Sequence, residues 1–192
     1  MTSAAPDPPV VPRLGGVDPT VTVRPATDAD LDAAGAVVLA AYAHDDLASP
    51  RYLAVVGDAR ARARDAVVAV AVDTAGQVVG SVTFAPAGSR WAEVARAGQA
   101  EFRMLGVLPQ ARGRGVARAL VEWCLDRARA AGAREVVISS ASTMRAAHRL
   151  YALRGFERRP SLDWSPEEGV ELWGFALALT PAEPGRAPNV RR

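Results

Sequence analysis

Lysine is missing from this chain, so every one of the 23 positions in its Lys+Arg count is arginine. A P-loop needs a lysine beside the nucleotide phosphates. Schiff-base enzymes and pyridoxal-phosphate enzymes need a lysine amine. The sequence therefore excludes these three classes of protein.

Cysteine is scarce too, with one residue at Cys124. A single cysteine can form neither a disulfide within the chain nor a cysteine-based zinc site. Cys124 falls on an apolar helical stripe, so we expect a buried, inert thiol there. This composition favours an intracellular protein, and we expect a cytoplasmic one that uses no metal.

Long apolar runs are also lacking. None approaches the roughly 20 residues that a membrane-spanning helix needs. Residues 1–16 have neither the basic start nor the apolar run of a secretory signal. We therefore expect no membrane association.

No charge of one sign dominates the chain. The 23 arginines face 21 acidic residues, which leaves a formal net charge of +2. The arginines are scattered and are not interleaved with aromatic residues, so we expect no nucleic-acid partner. Nucleic-acid binding through the Arg-Gly-Arg-Gly turn at 112–115 stays open as an alternative, and salt-dependent binding would reveal it.

The chain divides into three regions by composition. Residues 1–19 carry five prolines and predict a flexible leader, and residues 181–192 predict a flexible tail. The interval 20–180 predicts one continuous domain. Its apolar periodicity and turn residues give strands at 21–24, 66–73, 78–85, 100–108, 135–139, 156–158 and 171–179, and helices beginning at 27 and covering 51–65, 115–131 and 144–153. The order β-α-α-β-β-β-α-β-α-β-β predicts an α/β fold, a mixed central sheet with helices on both faces.

The segment 104–125 carries the clearest chemistry. A strand leads into a glycine-rich turn, and the turn opens a helix. Helix N-termini present unpaired N–H groups and a positive partial charge. Gly113 and Gly115 lack a Cβ, so an anion can approach the backbone, and Arg112 and Arg114 add charge at the rim. The segment predicts a phosphate or pyrophosphate site.

The spacing of this turn separates it from the dinucleotide fingerprint. That fingerprint needs a third glycine where this chain has Arg118. The pattern here is Q-x-x-G-x-G, and it resembles the GNAT superfamily, the Gcn5-related N-acetyltransferases. A second segment, AAHRLYALRGF at 146–156, matches the family pattern A-x-x-L-Y-x-x-x-G-F at the usual separation. The resemblance extends over residues 20–180.

The resemblance implies an N-acyltransferase. It would move an acetyl group from acetyl-CoA to a primary amine by direct attack in a ternary complex, with a small molecule or a peptide as acceptor. A GNAT-fold module that binds acyl-CoA as a sensor but transfers it weakly is the alternative. A homodimer is common in the family, and no segment of the sequence identifies the acceptor amine.

The resemblance also implies a coenzyme site. The turn that would hold the pyrophosphate, mainly through backbone N–H groups, comprises Arg112, Gly113, Arg114, Gly115, Val116 and Ala117. The strand that would pair through its backbone with the pantetheine arm comprises Leu105, Gly106 and Val107.

Two catalytic residues follow from the same resemblance. Tyr151 matches the tyrosine that can protonate the departing thiolate. Glu101 is the candidate base for the acceptor amine, and strand alternation predicts that it shares a side with Arg103, Leu105 and Val107. The alternatives are a tyrosine that only packs and a glutamate that only forms an ion pair.

One position departs from the family pattern. Many relatives have an asparagine where this chain has Met144, and the only asparagine here is Asn189. Ser140 and Ser142 are candidate substitutes. Acceptor-site candidates are the polar residues after the first helix and three tryptophans: His44, Asp45, Asp46, Trp91, Trp164 and Trp173.

Overall fold

A computed structural model describes residues 21–45 and 48–179. The predicted leader and tail, together with Asp46, lie outside the described residues. The strands are β1 (Thr22–Pro25), β2 (Val67–Val72), β3 (Val78–Pro86), β4 (Gln99–Val107), β5 (Glu135–Ala141), β6 (Glu157–Arg158) and β7 (Leu172–Ala178). The helices are α1 (Leu31–His44), α2 (Pro50–Gly57), α3 (Ala59–Ala63), α4 (Val116–Ala130) and α5 (Arg145–Leu153).

The strands form one mixed sheet in the order β1-β2-β3-β4-β5-β7-β6. The β4–β5 pair is parallel, and the other neighbours are antiparallel. Alternate residues of β2 enter different cores: Ala69 and Ala71 join the core with α4, while Val68 and Val70 pack with α1 and α3. Helices therefore cover both faces, and the predicted α/β fold is confirmed.

The predicted helix at 51–65 is two helices in the structure. Asp58 leaves helical geometry (φ −89°, ψ 78°), and its side chain accepts a 2.8 Å hydrogen bond from the N–H of Ala61. An aspartate at such a position caps a new helix, because its carboxylate satisfies an N–H of the first turn. The chain therefore turns between α2 and α3.

Strand β4 contains a bulge at Met104, where φ is +52°. The pairing of β4 with β3 shifts here, from Thr83↔Arg103 to Ser81↔Gly106. One residue of β3 therefore lies opposite two residues of β4. The extra residue turns the rest of the strand over. The apolar residues on the α4 side of β4 are therefore Ala100, Phe102, Leu105 and Val107, whereas Met104 packs against α1 and α2.

This bulge corrects the predicted alternation. Glu101 and Arg103 precede it and lie on the face opposite Phe102. Leu105 and Val107 follow it and lie on the same face as Phe102. The prediction that all four odd-numbered residues share one side is wrong, because a uniform period of two cannot anticipate a bulge.

The parallel strands β4 and β5 also separate along their length. They pair at Gln99↔Glu135, Ala100↔Val136 and Glu101↔Val137, and no further β4–β5 pair follows within the described sheet. Strand β5 instead continues beside β7 as far as Ala141. An opening therefore forms beyond Glu101, and the candidate site lies there.

Candidate active site

A groove of about 710 Å³ lies beside the last residues of β4. It is bounded by the ends of α1 and β4 and by the starts of α4 and α5. It contains all but one of the residues predicted for the coenzyme, namely Leu105, Gly106, Val107, Arg112, Gly113, Gly115, Val116 and Ala117. Arg114 belongs to the same turn but does not line the groove.

The glycine turn has the geometry that the motif requires. Gly113 and Gly115 adopt φ values of +75° and +81°, a region that side chains with a Cβ rarely occupy. A Cβ added at Gly113 would meet open space, so it is the backbone conformation that requires glycine there. Helix α4 begins directly after the turn, at Val116, with no acidic residue in its first turn. Its N–H groups can therefore receive a phosphate.

Arginines surround this groove. Arg112 forms a 2.9 Å ion pair with Asp45 and donates a 3.3 Å hydrogen bond to the carbonyl of Val107, which ties the turn to α1 and β4. Three further arginines also line the groove, namely Arg118, Arg145 and Arg154. A groove with this charge suits a polyanionic ligand.

Gly106 allows α1 to pack close to β4 at the edge of the groove. A Cβ at this position would lie 2.9 Å from the Cα of Val38 and 3.2 Å from the Cβ of Ala41. Helix α1 therefore packs directly on the backbone of β4 at the point where that strand borders the groove.

A second cavity of about 290 Å³ lies on the other side of Tyr42 and Met144, which line both cavities. Its walls are largely apolar and aromatic, with contributions from Tyr52, Met104 and Trp164. The charged side chains that line it are Arg51, Glu93, Arg103 and Glu167. The two cavities are neighbours, so ligands in them would meet at Tyr42 and Met144.

Glu101 lies beneath the small cavity and lines neither cavity. Its side chain is fully buried, and Oε2 accepts hydrogen bonds from the N–H groups of Glu93, Val94 and Ala95 at 2.9, 2.9 and 3.0 Å. Oε1 lies 3.7 Å from Nε of Arg103. Burial raises the pKa of Glu101, and the three N–H groups and Arg103 oppose that rise.

Tyr151 is also buried, and it lines neither cavity. Its ring packs against Phe102, Phe156 and Phe175, with centroids 5.8 to 5.9 Å apart. Burial raises the pKa of the phenol well above its ordinary value, so the hydroxyl stays protonated. Its assignment as the proton donor stays a prediction.

Met144 occupies the wall between the two cavities. Its sulfur lies 3.5 Å from the hydroxyl of Ser140, which lines the small cavity. Ser142 lines neither cavity, whereas Thr143 lines the groove. Of the polar residues near Met144, Thr143 rather than either predicted serine therefore faces the coenzyme groove.

The remaining candidates separate clearly. Trp164 lines the small cavity, and its indole N–H donates to Ser139 at 3.3 Å. The carbonyl of Trp91 accepts a hydrogen bond from Arg103, and Trp173 stacks on His148 at 5.4 Å. Neither tryptophan lines either of the two cavities. Cys124 is buried, and burial raises the pKa of its thiol.

Several cavity residues were not anticipated from the sequence. Glu93 lies in the stretch 87–99, which carries no motif and no clear periodicity. Neither Tyr42 nor Tyr52 was singled out. The signal that could have directed attention to Glu93 is its position just before the strand that holds Glu101.

Comparison with known proteins agrees with this geometry. The family model for the acetyltransferase (GNAT) family matches residues 38–156. The chain belongs to the GNAT acetyltransferase family. No curated protein sequence is significantly similar to it.

Solved GNAT structures resemble the chain along most of its length. A GCN5-related N-acetyltransferase from Kribbella flavida is 29% identical with a TM-score of 0.58, and the match covers 83% of this chain and 98% of that one. A GNAT acetyltransferase from Brucella melitensis, solved in complex with acetyl-CoA, is 23% identical with a TM-score of 0.59 and coverages of 85% and 91%. An N-acetyltransferase from Staphylococcus aureus Mu50 is 20% identical with a TM-score of 0.60 and coverages of 83% and 99%.

Over residues 21–45 and 48–179, no helix is long and apolar enough to cross a membrane. The same part of the chain contains no cluster of three or more side chains suited to holding a metal ion.

Proposed function

We propose that this protein transfers an acetyl group from acetyl-CoA to a primary amine by direct attack in a ternary complex. The observation that carries the proposal is the pair of neighbouring cavities that share Tyr42 and Met144. Acetyl-CoA would occupy the larger cavity and the amine the smaller one. The Brucella melitensis relative solved with acetyl-CoA supports this donor.

The chain's own residues account for binding of the donor. The N–H groups of Gly113, Gly115 and the first turn of α4 would hold the pyrophosphate. Beyond Glu101, the backbone of β4 has no pairing with β5, so the residues around Gly106 can pair with the pantetheine arm. The thioester would then lie near Tyr42 and Met144, where the two cavities meet.

Transfer requires three proton movements besides the attack. The acceptor ammonium must lose a proton before its nitrogen lone pair attacks the thioester carbon, and the nitrogen loses a second proton as the amide forms. The C–S bond breaks, and the thiolate leaves with the electron pair and must gain a proton. Tyr151 is our candidate to protonate that thiolate, on its match to the tyrosine of the family pattern A-x-x-L-Y-x-x-x-G-F.

The test is release of the coenzyme A thiol from acetyl-CoA in the presence of a panel of small primary amines. Release that depends on the amine, with the N-acetyl product identified by mass spectrometry, supports the proposal. Saturable binding of acetyl-CoA with no turnover of any amine would favour the alternative, a GNAT-fold module that binds acyl-CoA without transferring the acyl group.

A further inference from the structure

Carboxylates in the small cavity are the groups able to bind and deprotonate an amine. Among the residues described, Glu93 and Glu167 are the acidic side chains that line it. Glu167 lies in an exposed loop, whereas Glu93 is partly buried beneath the cavity. Glu93 is also fixed in place, because its Oε1 lies 2.6 Å from Nη2 of Arg103.

Glu101 holds Glu93 through two routes. The first is direct, since Oε2 of Glu101 accepts the backbone N–H of Glu93 at 2.9 Å. The second passes through Arg103, whose Nε lies 3.7 Å from Oε1 of Glu101 and whose Nη2 contacts Glu93. The same Arg103 donates to the carbonyl of Trp91 at 3.1 Å, which fixes the segment on the other side of Glu93.

We propose that Glu93 binds the acceptor ammonium and takes its proton, and that Glu101 is a positioning residue that fixes Glu93. This inference rests on the proposed acetyl transfer and deepens it. It assigns the role of base to Glu93, which lines the small cavity, and not to the buried Glu101 predicted from the sequence. Glu101 keeps an indirect role, because the three N–H groups that bind Oε2 belong to the segment that carries Glu93.

The protons of the reaction balance when Glu93 is the base. An ammonium R–NH₃⁺ gives one proton to the Glu93 carboxylate, and the resulting amine attacks the thioester carbon. The nitrogen loses a second proton as the amide forms. The departing thiolate gains one proton, and the proton on Glu93 passes to water. The products are the N-acetyl amine, the coenzyme A thiol and one released proton.

The surroundings of Glu93 suit this task. Burial raises its pKa, and Arg103 opposes the rise. A base whose pKa is closer to neutral pH accepts a proton more readily while it is still ionised. The cavity volume of about 290 Å³ and the walls of Tyr42, Tyr52 and Trp164 indicate the acceptor class, a small primary amine with an apolar or aromatic skeleton.

The experiment uses the full chain, acetyl-CoA and benzylamine, with kcat/KM measured between about pH 5 and pH 9. In the wild type, kcat/KM should fall as pH drops through the pKa of Glu93 and level off above it. In Glu93→Gln the rate should be about 100-fold lower at neutral pH and should follow the fraction of unprotonated amine, rising about tenfold per pH unit. Glu93→Asp should restore the wild-type profile at a reduced rate.

Glu101→Gln distinguishes positioning from catalysis. It should lower kcat about tenfold while keeping the wild-type shape of the pH profile, since Glu93 is still present. Amide hydrogen exchange should become faster at Glu93, Val94 and Ala95 in this variant. Exchange is measurable whether or not the variant is active. Glu157→Gln, at an exposed position of β6 that lines neither cavity, is the matched control and should match the wild type.

The outcomes separate the two proposals. Binding of acetyl-CoA with an unchanged pH profile in Glu93→Gln would overturn the assignment of Glu93 and leave acetyl transfer standing. Failure of benzylamine to bind or react, in protein that binds acetyl-CoA, would overturn the assignment of the cavity to small amines. Failure to bind acetyl-CoA at all would overturn the proposed function itself.

Discussion

Gly35 of α1 lies directly against Gly57, the last residue of α2. A Cβ added to Gly35 would lie 2.0 Å from the carbonyl oxygen of Gly57. The two helices can approach this closely only because Gly35 has no side chain. Helix α1 supplies Tyr42 and α2 supplies Tyr52 to the small cavity, so this contact also sets the spacing of two of its walls.

Substitutions at Gly35 and Gly57 should have different effects on stability. Gly35→Ala should lower the free energy of unfolding by about 1–3 kcal/mol, because backbone atoms must move apart. Gly57→Ala is the matched control, since a Cβ there would have its nearest neighbour, Cδ2 of Leu39, at 3.8 Å. Urea unfolding of both variants measures the difference. Equal stability of the two variants would contradict the observed packing.

The turn before α1 gives a prediction for pH dependence. The Asp30 carboxylate pairs with Arg24 at 2.6 Å and accepts hydrogen bonds from the N–H and hydroxyl of Thr27 at 2.7 and 2.6 Å. These partners, Arg24 first, lower the pKa of Asp30 well below its ordinary value of 3.8. Because the pKa is lower in the folded protein, the ionised carboxylate stabilises the fold fully above the ordinary value of 3.8. This stabilisation is lost as the pH falls from 3.8 toward the lowered pKa.

Asp30→Asn should therefore lower the free energy of unfolding by about 1 kcal/mol at neutral pH. The difference in free energy of unfolding between variant and wild type should become smaller as the pH drops below the ordinary pKa of a carboxyl group. Thermal unfolding across that range provides the measurement. Asp28→Asn, at an exposed position in the same turn, is the control. A gap independent of pH would show that the ionised carboxylate is not what stabilises this turn.

Tyr151 gives a prediction for catalysis. Its hydroxyl can be removed while the ring, which packs on Phe102, Phe156 and Phe175, is retained. Tyr151→Phe should lower kcat by about 10²-fold with little change in the KM for acetyl-CoA, because only the proton donor is lost. Unfolding measurements should show nearly wild-type stability. Turnover close to normal in this variant would remove the tyrosine from the mechanism.

Cys124 gives a prediction for chemical reactivity. It is the only cysteine, so a thiol reagent reports on one site. The side chain is buried and its pKa is raised, so the reactive thiolate is scarce in the folded protein. Labelling by a disulfide reagent should be at least about 100-fold slower in buffer than in urea. Rapid labelling of the folded protein would show that α4 does not pack as described.

The sequence predicted the coenzyme groove more fully than the acceptor cavity, for physical reasons. The turn at Gly113 and Gly115 is a local structure, determined by residues that adjoin each other in the chain. The small cavity instead brings together Tyr42, Glu93 and Trp164 from distant segments. No local pattern marks such an assembly, so Glu93 was not anticipated.

Two elements differ from the prediction, for different reasons. The bulge at Met104 depends on how β4 fits between its neighbours and on the packing of Met104 against α1, neither of which is visible as periodicity. The break at Asp58 could have been anticipated, since aspartate caps helices well and Gly57 precedes it. The other predicted elements agree with the structure to within a few residues.

Donor binding in the proposed function depends on whether the turn at the start of α4 binds the pyrophosphate of acetyl-CoA. Calorimetric titration of the purified protein with acetyl-CoA tests it directly, beside a variant with valine at Gly113. We expect saturable micromolar binding by the wild type and binding at least about tenfold weaker in Gly113→Val, because that backbone conformation disfavours a β-branched residue. No binding by well-folded wild-type protein, or equal binding by both, would contradict it.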